Sequence, residues 1–407
     1  MPLKQGKVAF VTGVNGISGN AIVEHLIRQP PEEWTEIIIT SRSPLKTYWQ
    51  DYRIRFIAID FLQPLEVSIK RMAFLCRRVT HAFFTSYIHH DDFAQLKEHN
   101  VPLFENFLTA IDTVAGSNLQ RVCLQTGGKH YGVHLGPVMS PALEDLPRYD
   151  DKGTNFYYPQ EDFMFSLERK RPWSYNIIRP NAIVGFTPGK NGMSQALTIA
   201  LYMLICKELG EIPKFPGNKL FYYTADDNSY APSIADLSVW AVTQEHTANE
   251  AFNHTNGDIF VWRYFFPKVG KYFGIDIPLQ TEFAEEGTTE TQANDVPMGN
   301  WVDGKREVWH RICDKYGGTK EAFDWGTWGF LDWNIGKAWS TLSSITKARK
   351  FGWHRYDDTF ETWVQTFRTF ENAGVLPQRE LIAGDPVDAT VSMAASNGAN
   401  GYASSGR

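Results

Sequence analysis

The sequence predicts an α/β protein: a doubly wound parallel sheet joined to a smaller, partly interleaved C-terminal region. Three observations predict it. Residues 7–190 alternate short β-branched runs with amphipathic helical stretches, the pattern of strands covered by helices on both faces. The first run leads straight into a glycine-rich turn and then a helix. Beyond residue 190 the alternation is lost and the composition shifts towards Trp, Phe, Gly and Asp.

In chain order, "KVAFVTG" is the first strand and "GNAIVEHLIRQ" the first helix, with "EIIITSR" and "IRFIAIDF" the next two strands. "HAFFTSY" follows as the fourth. "PLFENFLTAIDTVAG" reads as a helix ending at Gly116, a suitable C-cap. "RVCLQTG" is the fifth strand, "PQEDFMFSLERK" a helix, and "SYNIIRPNAIVG" the sixth strand. "MSQALTIALYMLIC" is too short to span a bilayer and reads as a buried helix. Two later segments return to the first layer: "YAPSIADLSVWAVTQ", a helix opening near Ser233, and "AFNHTNGDIFVWRYFFPKVGKYFGI", a strand followed by a helix. The expected division is a nucleotide-binding domain over 1–190 with returning segments near 220–275, a substrate-binding region over 191–377, and a disordered tail over 378–407. The tail is rich in Ala, Ser, Gly and Asn and has too little apolar surface to order itself.

A chain of 407 residues with 43% hydrophobic residues can bury a sizeable core. Its net charge of -6 gives no field for nucleic acid or acidic membranes, so a small molecule is the expected partner. Cys76, Cys123, Cys206 and Cys313 show neither zinc nor disulfide spacing, which fits a reducing compartment. The N-terminus runs into a strand without an apolar leader, so the expected location is cytoplasmic. No metal is expected, since the adjacent His89 and His90 do not point at one ion.

"TGVNGISG" supplies Thr12, Gly13, Gly16, Ile17 and Gly19 between strand and helix. Glycines there turn the chain tightly, let a pyrophosphate approach the backbone, and pack helix on strand. The second strand ends in Ser41 and Arg42 rather than in an acid. A guanidinium clamps a 2'-phosphate that a carboxylate would repel, so NADP(H) is expected over NAD. Asp60 closes the third strand where it can meet the adenine.

The chemistry gathers after the fifth strand, in Lys129, His130 and Tyr131, and at Tyr157 and Tyr158. These groups donate protons or stabilise an oxyanion. A lysine four residues after the first tyrosine would complete a familiar reductase pair, but Glu161 stands there.

"TGGKHYG", "LEDLPR", "NFYYPQED", "IIRPNAIVGFTP" and "TFETWVQTFRTFENAGVLP" resemble the progesterone 5-beta-reductase and iridoid synthase family over roughly residues 7 to 377. That family is an atypical branch of the short-chain dehydrogenase/reductases. The resemblance implies an extended Rossmann-type fold, NADPH as cofactor, and 1,4-reduction of an activated carbon–carbon double bond. It places the catalytic lysine on Lys129 and the catalytic tyrosine on Tyr157. In this reading the ammonium favours the phenolate and strengthens the tyrosine as a donor to developing negative charge. Thr126, Pro180 and Ile183 are the remaining expected cofactor contacts.

Several positions depart from the family pattern. Tyr87 stands where tryptophan is common, Val138 replaces an aromatic after "GP", and Ala182 occupies an asparagine position with Asn181 one residue earlier. With Trp325 and Trp328 of "FDWGTWGFLDW", these are the expected substrate contacts. The expected substrate is a small hydrophobic carbonyl compound of secondary metabolism, and a homodimer is compatible with the sequence. Carbonyl reduction at the same tyrosine, NADP sensing, and non-redox cyclisation or isomerisation stand as alternatives.

Overall fold

The computed structural model describes residues 6–47, 49–90, 93–283 and 293–383. Six strands, β1 (Lys7–Val11), β2 (Trp34–Ser41), β3 (Ile54–Ala58), β4 (His81–Phe84), β5 (Arg121–Gln125) and β6 (Ser174–Pro180), are joined by a seventh, Glu250–His254. All pairings in this sheet are parallel, in the order Glu250–His254, β6, β5, β4, β1, β2, β3. Strand order reverses between β1 and β4, which opens a crevice at their carboxyl ends.

Both faces are apolar because alternate residues of each strand point to opposite sides. Ala9, Val11, Ile37, Ile39, Phe83 and Ile178 pack beneath helix α1 (Ile17–Ile27) and the helix Ala231–Thr243. Val8, Phe10, Ile38, Phe84, Leu124 and Ile177 face the other way, towards α2 (Leu65–Met72), α3 (Phe93–Ala115) and α4 (Tyr157–Glu168). Two boundaries differ from expectation. Helix α3 starts at Phe93 and carries Pro102 inside it, at the loss of one backbone hydrogen bond. Helix α4 begins at Tyr157, which puts both tyrosines in its first turn.

The second core forms around α5 (Gln195–Leu209), whose residues 195–206 are all buried. Phe215, Trp262, Phe266, Trp309, Trp363 and Phe367 surround it, so much of the chain's aromatic content is packing. The chain then crosses back. Helix Ala231–Thr243 packs on α1, and Glu250–His254 extends the sheet with Ala251 opposite Ile177 and Phe252 opposite Ile178. Helix Thr359–Asn372 is N-capped by Asp358, which accepts from Glu361 N at 2.9 Å. Within the segment expected as a tail, Arg379–Ala383 form a short helix tied by Arg379 Nε to Tyr272 O at 2.7 Å; residues 384–407 lie outside the described residues. Among the described residues all four cysteines are buried and free, and no helix is long and apolar enough to cross a membrane.

Candidate active site

A cleft of about 610 Å³ runs from the glycine turn after β1 to the helix Trp328–Ile335 of the second region. At one end Gly13 has φ +66°, and a Cβ there would lie 2.9 Å from Thr85 O. Gly16 caps α1 with no side chain on the first-turn N–H groups, and that turn holds no acidic residue. The helix start is therefore shaped and polarised for a phosphate. Gly13, Gly16 and Ile17 line the cleft. Thr12 and Gly19 do not, which corrects their expected role as contacts. The Thr12 hydroxyl accepts from Thr85 N at 3.1 Å and staples β1 to β4. A Cβ on Gly19 would collide with the Gly13 carbonyl, so this glycine sets how closely helix and strand pack.

Ser41, Arg42, Ser43 and Asp60 line the adjoining wall, with Ile59 and Phe61 offering apolar surface. The Arg42 side chain is exposed at the rim. Asn15, which the motif reading passed over, organises this wall. Its Nδ2 donates to Ser41 Oγ (2.9 Å), Ser43 Oγ (3.1 Å) and Pro44 O (2.9 Å), and its Oδ1 accepts from Lys46 N (2.9 Å). The only signal for it was its place inside the glycine motif. Asp60 Oδ1 accepts from Leu62 N at 3.0 Å. Thr126, Pro180 and Ile183 also reach the cleft. First-turn N–H groups that no side chain caps, a cationic rim and no carboxylate at the end of β2 together fit a nucleotide bearing phosphate.

Lys129 lies on the short turn Gly128–Tyr131 that follows β5, and Tyr157 enters from α4. A Cβ on Gly127 would sit 3.5 Å from the Tyr157 hydroxyl, which places the phenol's oxygen against the backbone just beyond β5. Asn155 ties the two residues together: Nδ2 donates to Lys129 O (2.6 Å) and Oδ1 accepts from Tyr157 N (3.2 Å). It is buried and was also missed, since a carboxamide carries no chemistry of its own. Lys129 Nζ donates to Tyr87 Oη at 3.2 Å, not to Tyr157, and stands over the Tyr87 ring at 5.7 Å from its centroid.

This geometry revises the expected electrostatics. Burial holds the Lys129 amine down to about 8. Burial first, then the Tyr87 and Glu161 charges, push the Tyr157 phenol well above its ordinary value. That direction favours the protonated phenol over the phenolate.

Tyr158 faces away from the cleft, donating to His130 O (2.6 Å) and accepting from Tyr149 N (2.8 Å). Glu161, at the position where a lysine was sought, is buried behind the site. It lies 3.1 Å from His130 Nδ1, 3.4 Å from Arg179 Nη2 and 3.3 Å from Arg148 Nη2. Burial alone would raise the pKa of its carboxyl, but His130, Arg179 and Arg148 together carry that pKa below the usual carboxylate range. Tyr131 belongs to the same hidden layer, donating to Asn253 Oδ1 at 2.6 Å and accepting from Arg179 Nη1 at 3.3 Å. Neither His130 nor Tyr131 lines the cleft.

Tyr87, Ala182, Asn181, Met193, Phe330 and Trp333 line the far half. Trp325 and Trp328 do not, which corrects the expected substrate contacts. Trp328 turns inward onto Trp301 and Phe323, with ring centroids 5.9 and 5.8 Å away, and Trp325 packs on the second core. Phe330 and Trp333 are three residues apart on one helical face, and that face meets the cleft. Val138 also misses the lining; it packs beside Tyr131, Val133 and Ala142 one layer behind. Ala182 has φ +44°, a region more readily adopted by the asparagine common at this position in the resembled family.

Below this wall lies a buried ionic cluster with no sequence signature. Lys337 Nζ donates to Asn334 Oδ1 (3.3 Å) and Thr341 Oγ1 (3.2 Å), and stands 5.3 Å from the centroid of the Trp333 ring. Asn181 Nδ2 donates to Asp227 Oδ1 at 3.0 Å. Burial and the neighbouring Asp226 push the Asp227 carboxyl up to about 7. Among the described residues no group of His, Cys, Asp and Glu is assembled for a metal ion.

Residues 9–332 match the PRISE-like Rossmann-fold domain. The chain is 44% identical to the short chain dehydrogenase gsfE of Penicillium aethiopicum, covering 91% of this chain and 100% of that protein. It is 31% identical to an (S)-8-oxocitronellyl enol synthase of Nepeta racemosa, over 91% of this chain and 94% of the other. It is 30% identical to a 3-oxo-Delta(4,5)-steroid 5-beta-reductase of Arabidopsis thaliana, over 89% and 92%. Among solved structures, the Thermotoga maritima UDP-glucose 4-epimerase shares the fold with a TM-score of 0.61 at 14% identity, covering 90% of this chain and 99% of that one.

Proposed function

The chain is an oxidoreductase of the PRISE-like Rossmann-fold family, and from that premise we propose that it reduces activated carbon–carbon double bonds with NADPH. The observation that carries this reading is the Tyr157 phenol beyond the end of β5, clasped to the Lys129 turn through Asn155 and lining the cleft. Gly13, Gly16 and the first turn of α1 would hold the pyrophosphate, Ser41, Arg42 and Ser43 the 2'-phosphate, and Asp60 the adenine end. Bound there, the dinucleotide supplies hydride to the β-carbon of an enone or enal.

The protein's own part is orientation and charge. Tyr157 donates a hydrogen bond to the substrate carbonyl, and that bond strengthens as the oxygen becomes an enolate. The Lys129 ammonium adds a positive charge from a largely buried position on the cleft wall. Phe330, Trp333 and Met193 present apolar surface to a hydrophobic substrate. The α-carbon then takes its proton from solvent.

The test is NADPH oxidation against a panel of enones and enals, with products identified by mass and with Tyr157→Phe run alongside. A saturated carbonyl product and loss of most activity in the variant are expected. An alcohol product would move the reaction to carbonyl reduction at the same tyrosine. Conversion without NADPH consumption would make the role non-redox.

A further inference from the structure

The Lys129 hydrogen bond goes to a residue to which the reading above gives no chemical task. Tyr87 follows β4 by three positions and lines the same cleft as Tyr157. The two phenols flank Phe156, whose ring centroid is 5.9 Å from that of Tyr87 and 4.3 Å from that of Tyr157. A hydroxyl that accepts from an ammonium becomes a stronger donor of its own proton. Tyr87 receives that polarisation directly, over 3.2 Å.

We propose that Tyr87 is a second catalytic hydroxyl, protonating the substrate carbonyl oxygen and recovering its proton from the Lys129 ammonium. The proposal rests on the double-bond reductase reading and deepens it. As hydride from the reduced nicotinamide joins the β-carbon, the alkene π pair forms the new bond between α-carbon and carbonyl carbon. The carbonyl π pair moves onto oxygen. The Tyr87 O–H bond breaks as the substrate O–H bond forms, and one Lys129 N–H bond breaks to restore the phenol. The result is an enol and a neutral amine, which solvent reprotonates.

The two tyrosines thereby divide the work. Tyr157 holds its proton tightly and contributes a hydrogen bond. Tyr87 moves a proton because Lys129, brought down to about 8, gives one up readily near neutral pH. Tyr87 faces Lys129 directly, and His134 stands close enough to feel the Lys129 charge, with Asp151 acting on His134 from the loop before α4. His134 is held at about 4 by burial and the Lys129 charge, so it does not titrate in the same range.

The experiment compares Tyr87→Phe, Lys129→Met and the double variant by steady-state kinetics across pH, with NADPH affinity measured separately. Each single variant is expected to lose about a hundredfold in kcat, the scale of a missing general acid, with NADPH affinity unchanged. The double variant should lose no more than either single one, and the activity decline near pH 8 should vanish in Tyr87→Phe. In protein carrying 15N-labelled lysine, without substrate, the Lys129 amine should titrate lower in Tyr87→Phe than in the wild type. Full activity in Tyr87→Phe, multiplicative losses in the double variant, or an unmoved Lys129 titration would overturn the relay. A wild type that saturates no enone would overturn the reductase reading instead, whatever Tyr87→Phe does.

Discussion

The Asn155 carboxamide donates to the Lys129 carbonyl oxygen over 2.6 Å, and through its other end accepts from the backbone of Tyr157. One buried side chain thus sets the spacing between a turn after β5 and the first turn of α4. Asn155→Ala leaves the Lys129 carbonyl without this buried partner, a cost of roughly 1–3 kcal/mol. Calorimetry should show a lower Tm, and kcat should fall at least tenfold with NADPH affinity intact. Unchanged kcat would mean that the site holds its geometry without this clasp.

Lys129 opposes stability while serving the reaction. Its amine titrates at about 8 in the fold against an ordinary 10.5. Below pH 8 the folded protein holds the buried ammonium at a cost. Between these values the unfolded chain binds more protons, so stability gains from this group as pH rises while the catalytic ammonium is lost. Lys129→Met should therefore lose about a hundredfold in kcat yet be more stable at pH 7, by at most roughly 3 kcal/mol. Melting curves from pH 7 to 10.5 should show the advantage shrinking.

Glu161 is the counter-charge for Arg179, Arg148 and His130, and it does not reach the cleft. Glu161→Gln leaves a buried guanidinium with a neutral partner, a loss on the order of 3–5 kcal/mol. Denaturant unfolding should register that loss, while kcat per folded molecule stays within a few-fold of wild type. A large fall in kcat at unchanged stability would place Glu161 in the chemistry.

Arg42 is the exposed cation at the end of β2, beside the loop held by Asn15. Arg42→Glu should weaken NADPH binding by about tenfold or more, the scale of a lost charge-assisted contact. NADH binding should hold or improve. Equal effects on both cofactors would remove Arg42 from 2'-phosphate recognition.

The sheet was legible because its central strands are runs buried on both faces and punctuated by glycine or a helix. The pairing of Lys129 with Tyr157 near one strand end was legible from a motif, although their charge relationship was not. Hydrogen-bond direction and burial decide that relationship, and neither is written in residue order. Asn15 and Asn155 were silent for the same reason: a carboxamide acts through the distances at its two ends. The tryptophan assignment failed on helical phase. Trp328 and Trp333 share a helix, but only Trp333 lies on the face that meets the cleft. Nothing in residue order brings Asp226 and Asp227 near Lys337.

The late strand Glu250–His254 seals the edge of β6, and the helix Ala231–Thr243 covers α1. A ribosome that has extruded only the first 190 residues thus exposes a sheet with one raw margin and an uncovered apolar face. Maturation of the nucleotide-binding half must wait for more than sixty further residues to be synthesised. For protein engineering, a new substrate region cannot be grafted at a single junction. A chimera cut once would trade away part of the platform on which the reaction takes place.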